Sequence, residues 1–298
     1  MKTFPFFVAA TLLGGALSSV ASAQQFIVPA PVAPKAAASL TEAELRALGQ
    51  GVAFPSEKLQ RALNPNINEE GAVFYAKLKG NNDLETFVRA VAVADMTQFP
   101  KWMNPPNPEI PKSISTPDRT PELAFLINAY NGLFFKAVAD AYPVNSPLQI
   151  KNLDSAKTRR VAGKNLSFAE LRRQIAEIDP RALFALPDGT NSGPRASARV
   201  YSFLGMNAQL DQAAMAFVND FSRVQAPVRL QNTVQVSPWL QSVDGFFAPK
   251  TAKRKWNGVR NVLSTFTTRN GDQRYFTAGD YEVLFTLANS AINEQLSR

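Results

Sequence analysis

The sequence predicts an α+β fold: a predominantly helical single domain with a small β-sheet or hairpin. Three observations carry that expectation. Apolar residues recur at a spacing of three and four through several segments that open on helix caps, whereas only RALFAL and the Val228–Val236 stretch read as strand. Past an N-terminal segment of different composition, somewhat over 200 residues remain, enough for one core that buries about 70% of the unfolded surface. There is no cysteine, so stability must come from that core and not from disulfides.

The first segment reads as an address. Lys2 precedes an apolar run from Phe4 to Leu17, and Ala21-Ser22-Ala23 has the small residues a signal peptidase accepts, so residues 1–23 are expected to be a signal peptide. The alternative, a membrane anchor, needs about 20 apolar residues, more than this run holds. Localisation is therefore expected to be exported, periplasmic or extracellular. Residues 24–40 are rich in Ala, Pro and Val and read as a linker, which leaves 41–298 as the folded domain.

Within the domain, Thr41 with Glu44 forms a capping box that opens a helix stopped by Gly49 and Gly51. A second helix is expected from about Asp83 to Phe99, where Leu84, Phe87, Val88, Val91 and Ala92 share one face. Seven prolines between Pro100 and Pro121 exclude helix and central strand, so that stretch reads as an ordered loop or strap, anchored by Trp102 and Met103. Thr120 as cap, Pro121 and Glu122 then open the strongest helix. From Leu123 to Phe135 it carries no charge, which fits burial on nearly all sides; thirteen residues, two of them asparagine, are too few to span a membrane.

Ser167 and Glu170 form a second capping box, with a helix running to about Ile178. Arg181 to Leu186 (RALFAL) reads as a short buried strand, followed by a sharp turn at Pro187-Asp188-Gly189. A helix is expected from about Ala208 to Phe221. Val228 to Val236 alternates as an edge strand or hairpin arm does, and Ser237-Pro238 opens a short helix with Trp239, Leu240, Val243 and Phe246. Two helices, roughly Ala252 to Phe266 and Asp280 to Leu296, close the chain.

Composition excludes much chemistry. With no histidine and no cysteine there is no thiol-imidazole dyad, no Ser-His-Asp relay and no zinc site of the common Cys/His types, so neither cofactor nor metal is expected. The net charge of +8, lowered by one if Lys2 is removed with the signal, favours encounter with acidic surfaces such as envelope polymers, anionic lipid or nucleic acid.

The helix PELAFLINAYNGLFFKAVADAYPV, the phrase VAGKNLSFAELRRQI and the stretch RALFALPDGTNSGP followed by LDQAAMAFVND stand here in one order. Together, over about Leu123 to Phe247, they resemble the domain of unknown function 547 family. The resemblance implies a thiol site of papain-like sort in a distantly papain-like fold, built on a Glu-His helix and an Asn-Cys-Gly turn. In this chain Glu170 keeps the glutamate, but Leu171 stands at the histidine position and Asp188 at the cysteine position, while Gly193-Pro194 replaces the second Cys-Pro. Both members of the implied pair are missing, which points to a degenerate, non-catalytic copy.

The polar residues that remain define the candidates. Asn128 and Asn131 share a helix face and either tie down neighbouring backbone or line a pocket as ligand-binding residues, with Tyr130 projecting elsewhere. Asp188 either satisfies its turn or acts chemically, and Glu170 either serves its capping box or pairs with Asp188 in acid-base catalysis. Arg195 and Arg199 would clamp an anionic ligand; Ser192 and Ser197 offer hydroxyls, but no S-x-x-K spacing supports a Ser-Lys nucleophile. Lys253, Arg254, Lys255 and Arg260, with Trp256, form a surface-binding candidate for acidic polymer or membrane, or one solvated helix face. Arg159-Arg160 and Arg172-Arg173 are doublets of low specificity, and Asn165-Leu166-Ser167 matches a glycosylation sequon. The leading expectation is a binding or structural module for a peptide, envelope polymer or protein partner. A hydrolase using Asp188 and Glu170, and a binder of acidic surfaces, are the alternatives.

Overall fold

Thirteen uncharged residues in a row cannot sit on a surface, and the fold is arranged around the helix that carries them. In a computed structural model, which describes residues 56–98, 102–103 and 117–295, this helix runs Thr120–Ala141, with every side chain from Leu123 to Phe135 buried. Among the described residues three α-helices precede it, α1 (Ser56–Leu63), α2 (Tyr75–Leu78) and α3 (Asn82–Val93), so the long helix is α4. The Asn81 side chain caps α3 by accepting from the Leu84 N–H at 3.0 Å. Apolar faces of α1, α2 and α3 (Leu59, Leu63, Tyr75, Leu78, Leu84, Phe87) close one side of α4.

The other side is closed by α5 (Phe168–Ile178), and its start shows how a local signal positions the region. Ser167 Oγ accepts from the Glu170 N–H at 3.1 Å, and Glu170 Oε2 accepts from the Ser167 N–H at 3.0 Å, the reciprocal pair expected of the capping box. A short antiparallel hairpin, β3 (Arg159–Val161) with β4 (Lys164–Leu166), leads into it. Ahead of α4, β1 (Trp102–Met103) pairs antiparallel with β2 (Pro117–Asp118).

RALFAL is not a strand. Residues Pro180–Ala185 form a 3-10 helix, opened by Pro180 in its first turn and by Asp179, whose side chain accepts from the Arg181 N–H at 2.9 Å. A six-residue apolar run does not by periodicity separate a buried strand from a buried helical turn. Among the described residues no strand pairs with it, and the helical turn satisfies its backbone locally while Ala182 to Leu186 are all buried. Phe184 becomes the centre of an aromatic cluster with Phe217, Trp239, Phe247 and Phe266, ring centroids 5.2–6.2 Å away.

After α6 (Met206–Val218), the alternating stretch contributes β5 (Thr233–Val236), then α7 (Trp239–Phe247), α8 (Asn257–Phe266) and α9 (Asn270–Ala278) follow. The expected helix from Ala252 begins later, at Asn257, because Trp256 is left-handed at φ 61° and cannot be an interior helical residue. The expected final helix does not exist among the described residues. Gly279 ends α9 with φ 67°, and β6 (Glu282–Phe285) pairs in parallel with β5, Val283 facing the core. The chain then continues extended, bridging to Thr190 and Val73. A β-branched and aromatic run beside an open strand edge gains ladder bonds that an isolated helix would not.

The architecture is therefore α+β and mostly helical, with two-stranded sheets only among the described residues, inside a unit that spans Ser39–Arg298. No described helix is long and apolar enough to cross a membrane. The signal segment 1–23, the linker 24–40, the helix from Thr41 and most of the proline-rich stretch lie outside the described residues.

Candidate functional site

The turn after the 3-10 helix is held from three directions. Asp188 Oδ1 accepts from the Thr190 N–H at 2.8 Å and from Thr190 Oγ1 at 2.9 Å, the self-bonded turn expected of an Asp-Gly pair, and Gly189 takes φ 73°. Gly193 passes so close that a Cβ there would lie 2.0 Å from Asp188 Oδ1 and 2.6 Å from Oδ2. The extended C-terminal segment locks the outside: Asn293 N–H donates to the Gly189 carbonyl at 2.9 Å, Asn191 N–H to Ala291 at 3.1 Å and Ser192 N–H to Asn289 at 3.2 Å.

Beside Asp188 the space is open. A cleft of about 560 Å³ is walled by Tyr130 and Phe134 of α4, Phe168 and Arg172 of α5, Leu183 and Leu186, and Trp239, Val243 and Phe246 of α7, with the 3-10 turn at Leu148 on its rim. Leu148 is 76% exposed, an apolar side chain standing in solvent at the mouth of an apolar cleft. That volume suits a small ligand.

Electrostatics in the cleft follow from burial. Burial pushes the Asp188 carboxyl above its ordinary value, against the pull of the Thr190 bonds and the Arg172 and Arg223 charges. Arg172 forks onto Asp154 at 2.7 and 2.8 Å and donates to the Tyr130 hydroxyl at 3.3 Å. Burial works against its charge, but the Tyr130 and Asp154 oxygens outweigh it and hold the pKa above the ordinary guanidinium value. Burial raises Tyr130 as well. No three carboxylates gather to hold a metal ion among the described residues.

The structure separates residues that the sequence allowed to meet. Glu170 does not line the cleft; it serves its capping box and pairs with Lys157 at 2.5 Å, which draws its pKa down to about 2. Leu171 is fully buried in the core and leaves the cleft open. Asn128 donates to the Tyr201 carbonyl at 2.8 Å and accepts from the Tyr201 N–H at 2.9 Å, so it ties down backbone. Asn131 donates to the Ala185 carbonyl at 3.3 Å, which anchors the RALFAL turn. Tyr130, set aside in the sequence, is the member of the N-A-Y-N element that lines the cleft.

Arg195 pairs with Asp220 at 2.8 Å, and Arg223, also paired with Asp220, donates to the Gly193 carbonyl at 2.8 Å, so Arg195 braces the back of the turn. Arg199 is exposed away from the cleft, its backbone bonded to Ser197 Oγ. Ser192 Oγ accepts from the Asn289 N–H at 2.7 Å. In the basic segment, Arg254 and Arg260 both donate to the Tyr281 carbonyl, at 3.1 and 2.7 Å, so two of the four cations hold β6 in place. Lys253 and Lys255 are exposed, and Lys255 lies over the Trp256 ring at 5.1 Å.

Arg172 and Trp239 were missed as cleft residues. The only signal was that Arg172 follows two positions after a capping-box glutamate on an otherwise apolar face; that Trp239 of α7 reaches the same space is a long-range fact. Residues 114–218 match the family model described as "Protein of unknown function, DUF547", so over that stretch the chain is similar to the family its motifs resemble. Trp239, α7 and the C-terminal segment that braces the turn lie outside that match. No curated protein and no solved structure matches the chain.

Proposed function

We propose that this protein is an exported, non-catalytic binding module whose ligand occupies the cleft beside Asp188. One observation carries the reading: the space next to the turn is open and apolar, while the groups needed to activate a nucleophile there are absent or engaged elsewhere. Asp188 spends Oδ1 on Thr190, Glu170 is bonded to Lys157 and the Ser167 backbone, and Asp154 is bonded to Arg172. A carboxylate with no partner base or acid is poorly equipped for hydrolysis. It remains well placed to recognise a ligand. Export rests on the N-terminal charge, apolar run and Ala21-Ser22-Ala23.

A cleft-blocking variant tests the site. Ser242 is an exposed α7 residue on the cleft lining, so Ser242→Trp fills the space without disturbing the core. Anilinonaphthalene sulfonate should bind the native protein and lose most of its fluorescence gain on Ser242→Trp, while ester and peptide substrates are not turned over. Turnover that disappears on Asp188→Asn in a folded protein would refute the non-catalytic reading. Dye binding indifferent to Ser242→Trp would refute the cleft.

A further inference from the structure

The charges of the cleft do not cancel in place. Arg172 and Asp154 form a closed pair. Of the other charged residues on the lining, Asp188 and Arg173 have no ion-pair partner among the described residues. Asp188 Oδ2 takes no hydrogen bond from them either; it is not among the fully buried unpartnered atoms, so it keeps contact with the open space. Arg173 is exposed, one position along α5 from Arg172. The same lining carries aromatic and aliphatic side chains, Phe134, Phe168, Leu183, Trp239 and Val243.

We propose that the ligand is a short apolar peptide with free ends, its α-ammonium held by Asp188 Oδ2 and its α-carboxylate drawn to Arg173. This rests on the cleft reading above and gives it a substrate class. A buried carboxylate with one unbonded oxygen gains most from a charged donor, and aromatic faces around it add cation–π attraction. A guanidinium without an acidic partner suits a carboxylate. A cleft of about 560 Å³ has room for about two or three apolar residues at protein packing density. A fatty acid would leave Asp188 unmatched; a simple amine would leave Arg173 unmatched.

Calorimetric titration of the full chain with the dipeptide Leu-Phe, its N-acetyl form and its C-terminal amide tests this. Leu-Phe should bind, and N-acetylation should weaken it by about tenfold or more, as should Asp188→Asn, which keeps the Thr190 bonds. The two together should cost no more than either alone. Arg173→Gln should weaken Leu-Phe but leave the amide unaffected. Capped peptides that bind as well as Leu-Phe, or Leu-Phe that fails to bind, overturn the proposal. In either case anilinonaphthalene sulfonate binding that still responds to Ser242→Trp shows that the cleft reading survives and only the ligand class is wrong.

Discussion

Gly193→Ala should destabilise this protein through a single neighbour. The three atoms nearest to a built Cβ all belong to Asp188, at 2.0, 2.4 and 2.6 Å, far inside contact distance, so the carboxylate must move. Moving it disrupts the two Thr190 bonds to Oδ1, each worth about 0.5–1.5 kcal/mol when the carboxyl is neutral and about 1.5–3 kcal/mol when it is charged. No positive φ is recorded at Gly193, so alanine pays no backbone penalty there and even gains about 0.4–1 kcal/mol from a stiffer unfolded chain. The net expected cost is about 2–3 kcal/mol, or a fall in Tm of about 2–4 °C for each kcal/mol. In an Asp188→Ala background the obstacle is gone. There Gly193→Ala should be neutral or slightly stabilising, a coupling of about 2 kcal/mol in a double-mutant cycle read by urea unfolding with far-UV circular dichroism. Additive costs would show that Gly193 does not owe its identity to the carboxylate and would remove the account of how the turn is built.

Four further outcomes are expected. Because the folded Asp188 pKa is raised, its contribution to stability is present below the ordinary carboxylate value of 3.8 and is lost as pH rises through the raised value. Asp188→Asn should therefore gain stability relative to the native chain as pH rises from 3 to 7, measured by urea midpoints. Glu170 has the opposite sign. Its pKa is lowered from 4.5 to about 2, so its contribution is present above the ordinary value and is lost as pH falls through the lowered one. Glu170→Gln should be less stable than native at neutral pH and converge with it on acidification, with the gap narrowed by salt because Lys157 is largely exposed. Asn128→Ala should cost about 2–4 kcal/mol by chemical denaturation, since it strands the buried Tyr201 N–H and carbonyl together; a cost under about 0.5 kcal/mol would contradict the bonding.

For the basic segment, Lys253→Ala with Lys255→Ala should leave Tm unchanged, whereas Arg260→Ala should lower it by removing the shorter of the two guanidinium bonds to the Tyr281 carbonyl. A fall in Tm for the lysine pair alone would contradict the division between surface and structural cations.

What the sequence determined by itself is what local chemistry specifies. The capping box at Ser167 and Glu170, the buried α4 and the Asp-Gly turn are each written within a few residues, and the backbone adopts what those residues satisfy. The order of the family motifs was legible for the same reason. Tertiary structure decided the rest. RALFAL became a 3-10 turn, with no strand beside it among the described residues, and the segment after Gly279 became a parallel strand because β5 offered an open edge. It also chose Tyr130 over its flanking asparagines for the cleft, gave Glu170 to Lys157, and left Asp188 facing open space with Gly193 behind it. Each of those outcomes depends on which surfaces meet across tens to hundreds of residues, and pairing and burial at that range leave no period or motif in the chain.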